Sequence, residues 1–188
     1  MNKLALAVFM SLPLLLASCS DDDDTYPSIV TEMADGLTNS NGTLTTIITD
    51  NDEQYSLTNP QAGLYPNALY RLLCGYTVQG QAATLYTLEG VYILRDSTSV
   101  AQRDPLTIVS AWQTSRYINL HLSVKTQGGT HSLGYVTDSI VGSHAYLSLH
   151  HRQGQDPEAY STDIYASIPL DSIEGSLITL EGTYQFER

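Results

Sequence analysis

The side chains best equipped for chemistry lie late in the chain. His144, His150 and His151 fall close together, and His121 sits some way before them. In Tyr146-Leu-Ser-Leu-His-His151, a strand would place Tyr146, Ser148 and His150 on the face opposite Leu147 and Leu149. His121 opposes the leucines of its own run in the same way. If the two runs pair, His121 and His150 meet on a wet face near Asp163, a set able to hold a metal. Cross-strand pairing of exposed polar residues explains the same pattern more simply. Thr130-His-Ser-Leu-Gly134 resembles a nucleophile elbow built on Ser132. It lacks the first glycine of that pattern, however, and Tyr135-Val136 continue as a strand where a helix is required. There is no HExxH, no paired CxxC and no glycine-rich phosphate loop. The expectation is therefore a non-enzyme with no catalytic residues, no metal site and no cofactor.

Tyrosine is the other abundant functional group, with 13 against 2 phenylalanines. Such a bias suits strands with one wet face, where the ring packs and the hydroxyl reaches water. Tyr117, Tyr135, Tyr146, Tyr160 and Tyr165 fall on or near strands of the C-terminal half, where aromatic rings either cover the sheet or stack on a sugar or a protein. Formal net charge is −12, with 8 Lys and Arg. That excludes a basic nucleic-acid surface.

The N-terminus says where these groups act. Lys3 precedes an apolar run from Leu4 to Ala17, shorter than the about 20 residues of a membrane span and laid out as a secretory signal. Leu16-Ala17-Ser18-Cys19 resembles a bacterial lipobox, so the signal covers residues 1–18 and Cys19 carries the lipid, palmitate among its acyl chains. Each buried CH2 contributes about 0.8 kcal/mol, so several chains anchor firmly. Residues 19–27 form an acidic tether, in which Asp21 to Asp24 repel one another and extend the chain. The same run resembles the export signal of Bacteroidota-type lipoproteins carried to the outer face of the outer membrane. Cys74 then has no disulfide partner and sits in a strand-like run, as a small core residue would.

Period-two alternation dominates the remainder, as in Leu44-Thr-Thr-Ile-Ile-Thr49 and Tyr117-Ile-Asn-Leu-His-Leu-Ser-Val124. Turn residues separate the runs. Strands are expected at 28–35, 43–49, 53–58, 69–79 and 82–95, which suggests a small barrel over residues 28–98. A second set at 106–113, 116–125, 131–138, 144–152, 160–168 and 176–187 suggests a sandwich over residues 105–188. The polar, Pro-terminated stretch 95–105 reads as the linker, and two modules this small should pack on each other. Asp-Ser followed by Thr or Ile occurs at Ser97, Ser139 and Ser172. This pattern is shared by turn-forming side chains and by a bacterial O-glycosylation motif.

Several stretches together resemble the NigD-like lipoproteins: Gly42-Thr-Leu-Thr-Thr-Ile-Ile-Thr-Asp50, Tyr70-Arg-Leu-Leu-Cys-Gly-Tyr76, Val91-Tyr-Ile-Leu-Arg-Asp-Ser97, Arg116-Tyr-Ile-Asn-Leu-His-Leu122, Lys125-Thr-Gln-Gly-Gly129 and Tyr160-Ser-Thr-Asp-Ile-Tyr-Ala-Ser167. The resemblance implies an all-β chain, with an N-terminal OB-type barrel followed by a C-terminal β-sandwich. The leading functional expectation is an outer-membrane lipoprotein that binds a glycan or an envelope protein. A role in bacteriocin production or immunity, implied by the family name, and a metal-dependent hydrolase on His121 and His150 are the alternatives.

Overall fold

The computed structural model describes residues 28–97 and 102–188. The signal segment, Cys19 and the acidic run lie outside them. The first five strands are β1 (Val30–Thr38), β2 (Leu44–Thr49), β3 (Gln54–Gln61), β4 (Leu69–Gln79) and β5 (Ala82–Gly90). They close into a barrel in the order β1-β2-β3-β5-β4, the five-stranded arrangement expected of an OB-type module. Its interior is small: Ala34, Leu44, Ile47, Leu57, Leu72, Cys74, Tyr76, Ala83 and Leu85. Gly36 belongs there for a steric reason. A Cβ at that position would stand 2.5 Å from the Leu72 side chain and 2.7 Å from that of Leu44.

Two four-stranded sheets follow. One contains β6 (Tyr92–Ile93), β11 (Tyr160–Pro169), β8 (Tyr117–Thr126) and β7 (Thr107–Gln113), in that order. The other contains β13 (Tyr184–Glu187), β12 (Leu177–Leu180), β10 (His144–Arg152) and β9 (Ser132–Val141). Alternate residues of β8 and β11 (Ile118, Leu120, Leu122; Ala166, Ile168) meet Ala145, Leu147 and Leu149 of β10 and Ile178 and Leu180 of β12 in a larger core.

The boundary between modules differs from the expected linker. β5 ends at Gly90, and the chain then crosses directly into the sandwich. Tyr92 and Ile93 pair in parallel with Ala166 and Ser167, while Leu94 is 1% exposed within the sandwich core. The Ser97 amide donates to Tyr135 O at 2.7 Å, and the Tyr135 amide to Arg95 O at 3.1 Å. The described end of the polar stretch pairs too, for the Asp104 amide donates to His151 O at 2.9 Å. Polar composition suggested a linker, but its described ends hydrogen-bond to β9 and β10 of one sheet, while Tyr92 and Ile93 just before it pair with β11 of the other. Similarly, the expected strand 176–187 is a hairpin. Glu181 and Gly182 both take positive φ (51° and 65°), which reverses the chain within two residues.

Candidate functional site

Among the described residues, two buried polar clusters and a cleft beside the second of them could carry function. The first cluster joins the modules. The outward face of β8 turns Tyr117 and Asn119 toward the barrel, and β11 adds Ser167; the barrel answers with Met33 and Asp35 of β1, Asp50 after β2 and Arg71 of β4. Arg71 is 3% exposed and spends its guanidinium on four partners. It donates to Asp35 Oδ1 at 3.1 Å, Asp50 Oδ2 at 2.6 Å, Asn119 Oδ1 at 3.0 Å and Ser167 Oγ at 3.1 Å. It also lies over the Tyr117 ring, 4.1 Å from the centroid. Arg116 completes the set through Asp35 Oδ2 and through Thr49 O at 3.0 Å. Two arginines thus face the two buried aspartates, and Arg116 Nε also lies 3.4 Å from the exposed Asp52. Burial, together with the adjacent Asp35 carboxylate, pushes the Tyr117 hydroxyl up from its ordinary value.

The second cluster lies at the far end of the sandwich. The pairing of Leu133 with His151 sets the start of β9 beside the end of β10, which brings His131 next to His151. His131 Nδ1 is 2.9 Å from His151 Nε2, and His131 Nε2 is 2.9 Å from Asp156 Oδ2. His151 is fully buried, and its Nδ1 faces Asp104 O and Pro105 O, each at 3.1 Å. Asp156 also accepts from the Thr126 hydroxyl and from the Gln127 amide at 3.1 Å. The Thr126 hydroxyl, His131 and the Gln127 and Gly129 amides hold its carboxyl down at about 2. Gly129 is obligatory, because a Cβ there would sit 2.5 Å from Asp156 Cγ.

Beside this cluster the two sheets part into a cleft of about 220 Å³. Val124, Leu133 and Ile164 continue the core face into it, and the loop glycines Gly128 and Gly129 form one lip. Tyr92 and Tyr160 flank it, 47% and 53% exposed. This volume is below the ~300–1,000 Å³ of drug-sized ligand sites, so the cleft suits a single ring or side chain.

The histidine cluster, the less simple of the two readings of that pattern, does not form. His121 belongs to β8 and His150 to β10, strands of different sheets whose wet faces look away from each other. His121 instead stacks on Tyr165 with centroids 4.9 Å apart, and its Nε2 is 3.5 Å from Asp163 Oδ2. Cross-strand pairing within one sheet, the simpler reading, therefore brings His121 to Tyr165 and Asp163 but not to His150. Among the described residues, no group of three or more His, Cys, Asp or Glu could hold a metal ion. Ser132 lies exposed at the start of β9, opposite Arg152 in the ladder. Cys74 is buried in the barrel, where desolvation pushes its thiol up to about 12 and removes nucleophilic character. Of the tyrosines, Tyr117 and Tyr135 are buried, whereas Tyr146 and Tyr160 are exposed. Ser139 and Ser172 stand at the surface and Ser97 is half-buried; Ser172 Oγ donates to Pro169 O at 2.6 Å. His131 and Asp156 carried no local signal beyond flanking turn residues, and only the β9–β10 register reveals them.

Residues 91–181 match the NigD-like C-terminal beta sandwich domain. Among solved structures, a NigD-like immunity protein from Bacteroides caccae superposes with a TM-score of 0.68 at 22% identity, covering 87% of this chain and 93% of that one. A protein of unknown function from Bacteroides vulgatus gives 0.65 at 15% identity, over 86% and 91%. A candidate lipoprotein from Bacteroides fragilis gives 0.61 at 15% identity, over 86% and 96%. These likenesses establish a common fold. No curated protein matches the chain.

Proposed function

We propose that this chain, whose residues 91–181 match the NigD-like C-terminal beta sandwich domain, is a non-catalytic outer-membrane lipoprotein, anchored through Cys19, that binds a glycan at the open end of its sandwich. One observation carries the reading: Tyr92 and Tyr160 present half-exposed rings at a cleft sized for one sugar ring. Rings so placed bind the apolar face of a pyranose, while Thr162 at the cleft wall offers a hydroxyl group. The buried clusters support a binding role over a catalytic one. Their polar atoms are largely occupied with one another, and the buried Cys74 thiol is held protonated. The lipobox and acidic tether support an extracytoplasmic place, and a neighbour described as a candidate lipoprotein agrees with it. Glycan-array binding of the full chain in detergent tests the reading. It expects hits that Tyr160→Ala weakens, and an array without hits overturns it. Cys19→Ala should release the protein from membranes, and proteolysis of intact cells would report the outward face.

A second reading follows from the neighbour described as an immunity protein. In it the cleft receives an aromatic or aliphatic side chain of a bacteriocin. A deletion strain that becomes sensitive to its own bacteriocin would favour this reading over the first.

A further inference from the structure

The His131–His151 pair has a proton count that its surroundings dictate. His151 Nδ1 faces two carbonyl oxygens, which only accept, so it must bear hydrogen. His131 Nε2 faces a carboxylate kept ionised by its own hydrogen bonds, so it must bear hydrogen too. Between His131 Nδ1 and His151 Nε2, 2.9 Å apart, one hydrogen is needed. Satisfying every contact therefore takes three ring protons, and two neutral imidazoles carry only two. The pair is an imidazole–imidazolium couple that shares one positive charge and neutralises Asp156.

The charged groups around the pair favour that state. Asp156 faces it from the loop after β10. Asp104 lies on the edge segment, its carboxyl held below the usual range first by the Gln153 amide and Gln102, then by the fields of His151 and Arg152. Arg152 is adjacent on β10, while Arg103 turns away to Asp138 at 3.3 Å. Tyr160 stands on the β11 side, with its hydroxyl at the Gly128 lip. Through Asp156 the pair holds the Gln127–Gly129 lip, and through His151 it holds the segment that ends at Pro105.

We propose that this couple is a proton-operated clasp on the cleft: with its shared proton the lip is fixed and the cleft is shaped for a ligand, and loss of that proton frees the lip. The physical cause is simple. Without the third proton, two lone pairs confront each other, or one confronts a carbonyl or carboxylate oxygen, in a buried site. Binding at the cleft is then strongest while the third proton is held and weakens once a rising pH removes it. This regulation rests on the binding reading above, but the clasp itself is observable without ligand.

The experiment is nitrogen-15 NMR of the ligand-free full chain in detergent, read at the histidine ring nitrogens, with hydrogen exchange at the Gln127 and Gly129 amides. At low pH three of the four ring nitrogens of the pair should be protonated, and raising the pH should leave two. Exchange protection at Gln127 and Gly129, corrected for the intrinsic rate, should fall about tenfold across that step, while Leu94, bonded to Ser167 O, stays constant. His131→Gln can still donate to Asp156 but cannot hold the extra proton, so its protection profile should be flat. Two ring protons already at the lower pH, unchanged protection in the parent, or a parent-like profile in His131→Gln would each overturn the clasp. If that variant does not fold, the parent measurements decide alone. An array without hits would instead remove the glycan reading and leave these measurements intact.

Discussion

The Arg71 cluster and the His131 cluster are both buried polar knots in an all-β chain, and they differ in the kind of charge they use. The first consists of guanidinium and carboxylate groups paired with one another. It sits between two modules, with Arg71, Asp35, Asn119 and Ser167 all at 3% exposure or less. The second depends on imidazole, which gains and loses charge near neutrality, and it sits beside an open cleft. Paired charge at a sealed junction fixes one arrangement. Titratable charge at an opening leaves an arrangement that solvent conditions can change.

The largest effect should come from breaking the first knot. Arg71→Ala strands Asp35 and Asp50 without their main partner, and the expected cost is about 3–5 kcal/mol in chemical denaturation. Arg71→Met should cost as much, because the buried carboxylates remain. A loss below about 1 kcal/mol would show that Arg116 alone can balance both aspartates.

Gly129→Ala sharpens the contrast by moving the second knot without touching a charge. The added methyl meets Asp156, so the lip must shift, with an expected loss of about 1–3 kcal/mol and faster exchange at Gln127. Acid should distinguish the knots as well. The Asp156 carboxyl is held below its unfolded value, so its contribution is complete above the ordinary carboxylate range, near about pH 4, and disappears as the pH falls toward about 2. Asp156→Asn should abolish that part of the acid transition, as followed by exchange at Gln127.

Tyr160→Ala is expected to have the smallest effect on stability, within about 0.5 kcal/mol, since the ring is 53% exposed. Its effect should fall on binding, with a several-fold loss of glycan affinity by calorimetry, in line with the about 1 kcal/mol of an aromatic contact. A large change in melting temperature instead would mean that the ring covers the sheet rather than serves the cleft.

Local pattern alone fixed a good deal. Alternation in Leu44–Thr49 and Tyr117–Thr126 marks strands because a pleated chain shows its faces every second residue, and most of the observed strands begin and end within a few residues of the expected positions. The two-module, all-β architecture followed from that count. What sequence could not set was which strands become neighbours. His121 and His150 share a pattern but not a sheet, because sheet order depends on long-range pairing that the alternation of either strand does not encode. For the same reason Arg71 read as one polar residue in an apolar run, yet it holds the modules together. His131, His151 and Asp156 meet only through the β9–β10 register and the loop that follows. Residue types determined what each group could do; tertiary pairing, which brings together residues far apart in the chain, determined which groups could do it together.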